Sequence, residues 1–289
     1  MTTEALSATL DAEALQLWSG RTERVDDIVT PRLEASFRAT FDRAPGAPAF
    51  GDIASLGIHW CLAPTIAATD ALGDDGNPRR PGITPPAQRP RRTWSGGELH
   101  FLSPLRVGDT VTRVSEIENA ALTNGRNGEL CCVSIRHTWS TTRGPAIRER
   151  QDLVYRRSDE SADACSPTPE RDVETEALWR RSYACDPILL FRYSALGFDG
   201  HRIHFDRPYV TAVEGYSGLV VHTPLQATSL ISLAADAVGE APRRVEYRGL
   251  APLLADGPFT AKGARKGAGW RLWICDSAGR ATMTAQAEW

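Results

Sequence analysis

Two segments of the chain share one pattern of apolar residues between a proline and a glycine. Residues 64–72 begin with proline, consist mostly of small residues at helical spacing, and are followed by Gly73. In the second half, residues 225–238 follow Pro224, carry a longer and more apolar helical pattern, and precede Gly239. Proline at the first helical position and glycine just past the last are the usual asymmetry of helix ends. The pattern therefore predicts one helix in each segment.

After each predicted helix the pattern changes to one typical of β-strands. Residues 130–140 combine a short apolar run with alternation, and residues 271–275 and 281–287 do the same on either side of a hairpin turn at 276–279. Each half is thus a helix followed by antiparallel strands, which is an α+β arrangement repeated twice. A sheet wrapped around a buried helix satisfies this order, and two such units can merge their sheets edge to edge.

A polar, acidic and proline-containing stretch divides the chain near its middle. Residues 158–178 have the composition of a linker, so we predict an N-terminal unit over 1–157 and a C-terminal unit over 179–289. The first unit carries an extra segment, 74–92, with five arginines between residues 78 and 92. A solvated surface loop is the simplest interpretation of this insertion.

Composition and charge exclude several classes of partner. The 289 residues are 42% hydrophobic and 24% charged with a net charge of −3, without the basic footprint typical of nucleic-acid or membrane-surface binding. The six cysteines are scattered, with no CxxC pair and no zinc spacing, which indicates a reducing compartment. No secretory leader stands at the N-terminus, and no apolar run approaches the length of a membrane span. We therefore expect a soluble cytoplasmic protein with neither a nucleic-acid nor a membrane partner.

A stretch of nine residues in the second half concentrates groups that transfer protons near neutral pH. It contains Asp199, His201, His204 and Asp206, which supply two carboxylates and two imidazoles. Asp199 and His204 are separated by a spacing that suits neither a regular strand nor a regular helix, so they meet only if the backbone bends, which Gly200 permits. The alternatives are a structural Asp–His hydrogen bond in a turn and a solvated polar loop. The spacing matches no common metal motif, so we predict no metal site.

The start of the second predicted helix offers another chemical feature. The first amides of a helix have no partner within it and interact favourably with an anion. Pro224 has no N–H, so the amide of Thr223 is the first candidate to stabilise a developing negative charge. The alternative for Thr223 is an N-cap whose hydroxyl satisfies a helix amide. His222 is interpreted either as a core histidine, like His59 in the first half, or as a residue that contacts substrate.

Several motifs around these residues complete a family pattern. They are the segments 94–97, 104–109, 151–156, 191–206 and 218–226. Together they resemble the MaoC-like hydratases of the hotdog superfamily, in the fused double-hotdog form, from about residue 25 to the C-terminus. The resemblance is greatest to the group that contains 3-methylfumaryl-CoA (mesaconyl-C4-CoA) hydratases, itaconyl-CoA hydratases and type 2 hydroxyacyl-thioester dehydratases.

The resemblance implies a fold, a catalytic pair and a reaction. The implied fold is a double hotdog, two antiparallel sheets each wrapped around a central helix. The family's hydratase motif is Asp-x-Asn-Pro-x-His. Asp199 and His204 occupy its two ends, while His201 and Arg202 replace Asn-Pro. Thr223 stands where relatives usually have glycine. The implied reaction is the addition of water to the α,β double bond of a CoA thioester, or its reverse. Asp199 and His204 would act as acid and base and Thr223 would supply the oxyanion amide. No cofactor is implied, since CoA is part of the substrate.

The resemblance also suggests what the pocket contacts, and it leaves alternatives open. The expected acyl group is a branched C5 dicarboxylic one, as in mesaconyl-C4-CoA or itaconyl-CoA. Arg202 is the candidate for the second carboxylate, and His201 and His222 are candidates for the pocket wall. Arg91 and Arg92 are candidates for contact with the CoA phosphates. The alternatives are an (R)-3-hydroxyacyl-thioester dehydratase of fatty-acid metabolism, a non-catalytic double hotdog that binds acyl thioesters, and a thioesterase.

Only the second half carries the catalytic pair. Aligning the halves on their two helix-start prolines places Ala39 and Ala44 opposite Asp199 and His204. We therefore expect one active site per chain, in the C-terminal unit, with the first half supplying the facing wall of the pocket. A homo-oligomer of such pseudo-dimeric chains is compatible with this arrangement.

Overall fold

A computed structural model describes residues 15–79, 82–83, 91–125, 128–156 and 176–289. The predicted linker 158–178, apart from its last three residues, lies outside the described residues, and so does much of the arginine-rich insertion. Within the described ranges the chain forms one antiparallel sheet with a few helices on it.

Strands from both halves form this single sheet. The described strands are β1 Thr22–Ile28, β2 Arg91–Phe101, β3 Thr110–Gly125, β4 Gly128–Thr141, β5 Gly144–Arg156, β6 Trp179–Tyr183, β7 Arg244–Gly249, β8 Phe259–Lys266, β9 Gly269–Cys275 and β10 Ala281–Glu288. Their order in the sheet is β1-β3-β4-β5-β2-β7-β10-β9-β8-β6. The halves therefore meet where β2 pairs with β7, and the expected edge-to-edge merger is confirmed.

The seam between β2 and β7 requires a residue without a side chain. Gly97 on β2 lies opposite Tyr247 on β7. A β-carbon at Gly97 would lie 2.7 Å from the Tyr247 hydroxyl oxygen and would overlap the carbonyl oxygen of Arg150 on β5. Any larger residue at Gly97 would push its neighbours away, so this glycine lets the two halves approach closely.

One long helix lies against the second-half part of the sheet. The described helices longer than one turn are α1 Pro31–Thr40, α2 Pro187–Leu196, α3 Arg207–Ala212 and α4 Thr223–Val238. Helix α4 contacts each strand from β6 to β10, and its side chains Leu225, Leu230 and Ile231 are buried. It has a proline in its first turn and ends at Gly239, whose φ is 83°. The helix predicted over 225–238 is confirmed.

The helix predicted over 64–72 is wrong. The segment contains one short 3₁₀ turn, Thr69–Ala71, and otherwise runs without regular structure. Just before it, Ala63 has a φ of 49° and donates its amide hydrogen to the Asp27 carboxylate, which turns the chain out of a helical path. Ile66 is 72% exposed, so the segment has little apolar surface with which to hold a helix on the sheet. The central helix expected in each unit is therefore present in the second unit but not in the described part of the first.

The structural repeat is carried by α1 and α2 instead. Each helix begins with proline and is capped by the side chain of the preceding residue, Thr30 for α1 and Asp186 for α2. After each helix one residue adopts a left-handed conformation, with φ 54° at Asp42 and 49° at Phe198. The two helices pack against each other. The halves thus share a helix-and-turn unit that the sequence pattern did not reveal.

This repeat corrects the alignment of the halves. Matching α1 with α2 places Arg43 opposite Asp199 and Pro48 opposite His204. The alignment that placed two alanines there is wrong, because it relied on a first-half helix that does not form. The conclusion drawn from it is unchanged, since the first half has neither a carboxylate nor an imidazole at the matching positions.

Disulfide bonds and membrane-spanning helices were both considered in the sequence analysis. No disulfide joins the described cysteines, which are Cys61, Cys131, Cys132, Cys185 and Cys275. Among the helices that the structure describes, none is long and apolar enough to cross a membrane.

Candidate active site

A cavity of about 740 Å³ opens between the two halves of the protein. Its wall is formed by the start of α4, the loop after α2, strand β2 and the first-half segment 64–72 that was predicted as a helix. Most of the wall is apolar or neutral. Among the described wall residues Asp199 is the one carboxylate and Arg92 the one permanent cation. The first half therefore supplies a wall of this cavity, as expected.

Asp199 and His204 meet in the cavity, as the family resemblance implied. Asp199 follows α2, and the left-handed Phe198 turns the chain before it. The 3₁₀ turn Arg202–His204 then returns the imidazole towards the carboxylate. Asp199 Oδ2 and His204 Nε2 are 3.7 Å apart, too far for a strong direct hydrogen bond and well placed to share one small partner. The left-handed residue is Phe198 rather than Gly200, so that detail of the prediction is wrong.

Gly200 has a packing role instead. Its carbonyl oxygen lies so close to Gly76 of the first half that a β-carbon on Gly76 would overlap it, and Gly76 has a φ of 84°. The amide of Arg202 donates to the carbonyl oxygen of Asp75 at 2.8 Å. The first-half loop 73–77 and the Asp199–His204 loop are therefore packed backbone against backbone.

The hydrogen bonds of His204 fix which of its nitrogens carries the proton. Nδ1 lies 2.7 Å from the carbonyl oxygen of Val220, which can only accept, so Nδ1 carries the hydrogen. Burial lowers the pKa of His204 against the opposing effect of Asp199. The imidazole is thus neutral near pH 7, and its unprotonated Nε2 faces the Asp199 carboxylate.

His222 is buried, as a core histidine would be, but it belongs to this site. Its ring stacks on that of His204 with centroids 3.5 Å apart and an interplanar angle of 17°. Its Nε2 lies 2.9 Å from Ser194 Oγ and 3.8 Å from Asp199 Oδ2. Burial, reinforced by His204, holds the pKa of His222 well below its usual value. A neutral ring here supports His204 without adding a competing charge.

The same three groups lie close enough together to suggest a metal site, but their orientation disfavours one. The ligand atoms of Asp199, His204 and His222 all lie within 4.8 Å of one another. The lone pair of an imidazole nitrogen lies in the plane of its ring. Because the two rings are stacked and nearly parallel, their lone pairs point side by side and do not converge. An ion bridging them would lie out of both ring planes.

His201 lines the cavity next to this pair. Its ring lies edge-on to His204 at 5.4 Å, and its amide donates to Asp199 Oδ1 at 3.0 Å. Burial, followed by the effect of His204, lowers the pKa of His201 to about 4. The predicted wall position is therefore observed, and the His201 backbone also orients the Asp199 carboxylate.

The start of α4 faces the cavity, but not with the cap that was one alternative for Thr223. The N-cap residue is His222, and Thr223 is the first residue of the helix. The Thr223 hydroxyl donates to the carbonyl oxygen of Trp94 on β2 at 3.4 Å, so it does not cap the helix. Thr223 lines the cavity, and the first amides of a helix have no partner within it.

The arginines do not stand where they were predicted. Arg202 is turned out of the cavity wall: its Nε and Nη2 donate to Asp206, its Nη1 donates to the Asp74 carbonyl oxygen, and its guanidinium lies over the ring of Tyr209. Its predicted contact with a substrate carboxylate is therefore wrong. Arg92 does line the cavity. The side chain of Arg91 lies outside the described residues.

Comparison with known proteins assigns the chain to a family. The family model described as hydroxyacyl-thioester dehydratase type 2 matches residues 57–255. The chain belongs to that family. The matched range includes the cavity wall contributed by the first half and the whole Asp199–His222 region.

Two curated relatives agree with this assignment. The mesaconyl-C(4)-CoA hydratase of Chloroflexus aurantiacus is 37% identical over 242 residues, covering 84% of this chain and 86% of the relative. The mitochondrial hydroxyacyl-thioester dehydratase type 2 of Schizosaccharomyces pombe is 34% identical, covering 75% of this chain and 79% of the relative. The two relatives of this chain thus have two different named activities.

Solved structures show the fold of this family member. A MaoC-like dehydratase from Phytophthora capsici superposes with a TM-score of 0.69 at 12% identity, covering 96% of this chain and 98% of the other. A Mycobacterium tuberculosis protein described as having a double hotdog fold gives 0.55 at 13% identity, covering 93% and 95%. The predicted α+β double hotdog is confirmed, with its two sheets merged into one.

Sequence reasoning on this dehydratase-family chain missed two site residues. Ser194, in the last turn of α2, holds the Nε2 of His222. Asn77, inside the insertion, accepts a hydrogen bond from Arg92 at 3.3 Å. No pattern in the chain marks Asn77, whereas Ser194 stands as a polar residue in an otherwise apolar helix end that leads into the Asp199 loop.

Proposed function

We propose that this protein adds water across the α,β double bond of an acyl-CoA thioester, with Asp199 and His204 as its acid–base pair. The observation that carries the proposal is the pairing of the unprotonated His204 Nε2 with the Asp199 carboxylate, 3.7 Å apart, in a cavity beside the start of α4. The 37% identity to a mesaconyl-C(4)-CoA hydratase supports it. Dehydration is the reverse of the same steps.

The pair accounts for the attack of water. A water molecule between the two groups donates one hydrogen to the Asp199 carboxylate and the other to His204 Nε2. As its oxygen bonds to the β-carbon, His204 takes up the proton. The Asp199–His204 pair then returns one proton to the α-carbon, so the net change is the addition of one water. Positioned acid–base groups contribute about 10²- to 10⁴-fold to such steps.

The start of α4 stabilises the enolate intermediate of this reaction. When the β-carbon is attacked, negative charge moves to the thioester oxygen as an enolate forms. The Thr223 amide stands at the positive end of the α4 dipole and lines the cavity. It donates a hydrogen bond to that oxygen, and preorganised donors of this kind are worth about 2.7–4 kcal/mol in related oxyanion holes.

The acyl group we propose is a branched C5 dicarboxylic one, with mesaconyl-C4-CoA as the reference substrate. Its hydration would give citramalyl-CoA. A second candidate is an (R)-3-hydroxyacyl thioester of fatty-acid metabolism, which is favoured by the description of the family model and by the Schizosaccharomyces pombe relative. The two candidates differ in whether the acyl chain carries a carboxylate.

The test measures the addition of water and the release of free CoA thiol separately. Mesaconyl-C4-CoA and crotonyl-CoA are incubated with the protein, and products are scored for a mass gain of one water and for free thiol. We expect hydration without thiol release, and we expect Asp199→Asn and His204→Ala each to lower turnover at least a hundredfold while the fold is retained. Near-normal hydration in either variant would contradict the assignment. Thiol release without hydration would indicate a thioesterase, and binding without either would indicate a non-catalytic acyl-thioester protein.

A further inference from the structure

The described part of the cavity wall carries few charged side chains, and its arginine is Arg92 and not the expected Arg202. Asp199 is the one carboxylate and Arg92 the one permanent cation among the described wall residues. Arg92 lies near the start of β2. The three residues that follow it, Thr93, Trp94 and Ser95, also line the cavity. Among the described wall residues, Arg92 is therefore the one that can offset an added negative charge.

Arg92 is tied to the first-half loop that packs against the Asp199–His204 loop. Its Nη2 donates to Asn77 Oδ1, and Asn77 directly follows Gly76, whose backbone packs against Gly200. The guanidinium is thus tied to the loop that rests on the Asp199–His204 loop. Its positive charge reaches His201, where it adds to the effect of burial in lowering the pKa of that imidazole.

Arg92 is also available for a new partner. Its guanidinium is exposed, and among the described residues no carboxylate lies within ion-pairing distance of it. Arg202 differs in each respect, because Asp206 neutralises it and the Asp74 carbonyl oxygen and the Tyr209 ring occupy its remaining faces. Of these two arginines next to the catalytic loop, Arg92 alone has guanidinium donors without a partner among the residues that the structure describes.

The proposed chemistry requires a cation in this place. In mesaconyl-C4-CoA the free carboxylate is bonded to the β-carbon, the atom that water attacks. That carboxylate must therefore lie within a few ångströms of Asp199, and two like charges so close repel each other strongly at the low dielectric of a closed site. A guanidinium on the wall of the same cavity reduces this penalty and matches the planar carboxylate. The CoA phosphates lie a whole pantetheine arm away from this carbon.

We propose that Arg92 binds a carboxylate on the β-carbon of the acyl group and so selects dicarboxylic over monocarboxylic acyl-CoA thioesters. The inference rests on the proposed function for its substrate class, and it replaces Arg202 in the role predicted from the sequence. Asn77 is the positioning residue that orients the guanidinium.

The experiment compares two saturated thioesters that cannot be hydrated. Succinyl-CoA and butyryl-CoA have the same chain length and differ only in a carboxylate or a methyl group on the β-carbon. Their dissociation constants are measured by calorimetry for the wild type, for Arg92→Gln and for Arg148→Gln. Arg148 is an exposed arginine on β5 outside the cavity wall, so it controls for the loss of one positive charge.

We expect the wild type and Arg148→Gln to bind succinyl-CoA more tightly than butyryl-CoA. Arg92→Gln should weaken succinyl-CoA binding about tenfold, the size of a partly exposed charge-assisted contact, and leave butyryl-CoA within twofold. Equal weakening of both ligands would overturn the proposal and assign Arg92 to the CoA phosphates. The absence of any wild-type preference for succinyl-CoA would overturn it too. Since neither ligand reacts, these outcomes are separate from a failure of the hydration assay, which would concern the proposed function.

Discussion

The contact between Gly76 and Gly200 predicts that a small change in the first half disables a site in the second. Replacing Gly76 with alanine puts a β-carbon inside the van der Waals radius of the Gly200 carbonyl oxygen, and that β-carbon would also lie 3.0 Å from the carbonyl carbon and 3.3 Å from Arg202 Cγ. The backbone atoms cannot rotate away as a flexible side chain would. The Gly200 peptide must therefore shift by on the order of 1 Å, a displacement that can cost about 10²-fold in rate when it misplaces reacting groups.

Besides the steric overlap, alanine at Gly76 also strains the backbone, and the two effects must be separated. Its φ of 84° is strained for a residue with a side chain, by about 1–2 kcal/mol. Gly215→Ala is the matched control, because Gly215 has a φ of 78° and open space where a β-carbon would stand. Both variants should lose the stability that the positive φ costs, and Gly76→Ala should lose more because of its overlap with Gly200. Only Gly76→Ala should lose hydration activity, by a factor between about 30 and 100.

The assay is kcat/KM for hydration, measured below the melting temperature of each variant. If Gly76→Ala retains activity within threefold of Gly215→Ala, the two loops are not coupled in the way the backbone packing implies. The first-half loop would then be a passive cover over the cavity.

Two further predictions concern the imidazoles. Because burial lowers the pKa of His204, the group is neutral at pH 7 and becomes protonated only as the pH falls through that lowered value. The acid limb of the kcat/KM profile should therefore have its midpoint below 6.5, and a midpoint above 6.5 would show that His204 is not the base. His222→Phe retains a ring on His204 but leaves the buried Ser194 hydroxyl without its partner, which should cost about 1–3 kcal/mol of unfolding free energy. Ser194→Ala in the same chain should recover part of that loss, and fully additive losses in urea unfolding would show that the Ser194–His222 bond contributes nothing.

The success and the failure of helix prediction have one physical cause. Both predicted helices had proline and glycine at their ends, but only residues 225–238 also carry apolar side chains that can be buried on a sheet. Residues 64–72 lack such a face, and Ala63 leaves the helical path before they begin. End signals identify where a helix can start and stop, whereas burial decides whether it forms.

In the candidate site, too, sequence patterns predicted some contacts, whereas others depend on how the helices pack. Spacing and a family motif were enough to predict that Asp199 and His204 meet. The stacking of His222 on His204 and the bond from Ser194 depend on how α2 and α4 pack, which no local pattern encodes. The ion pairing that keeps Arg202 out of the cavity wall was partly foreseeable, because Asp206 stands four residues after Arg202 and forms an i,i+4 ion pair with it.

The pairing of β2 with β7 means that the second half cannot be separated from the first without exposing a strand edge. Without the first half, β7 would present a bare row of backbone donors and acceptors, which is a template for unwanted association with other chains. The same cut would remove Arg92, Trp94 and the 64–72 wall from the cavity, and it would remove the 73–77 loop that packs against the loop of Asp199 and His204. The second half is therefore not a smaller version of the enzyme. The first half, which has no residues that match Asp199 and His204, covers that edge of β7 and completes the cavity wall.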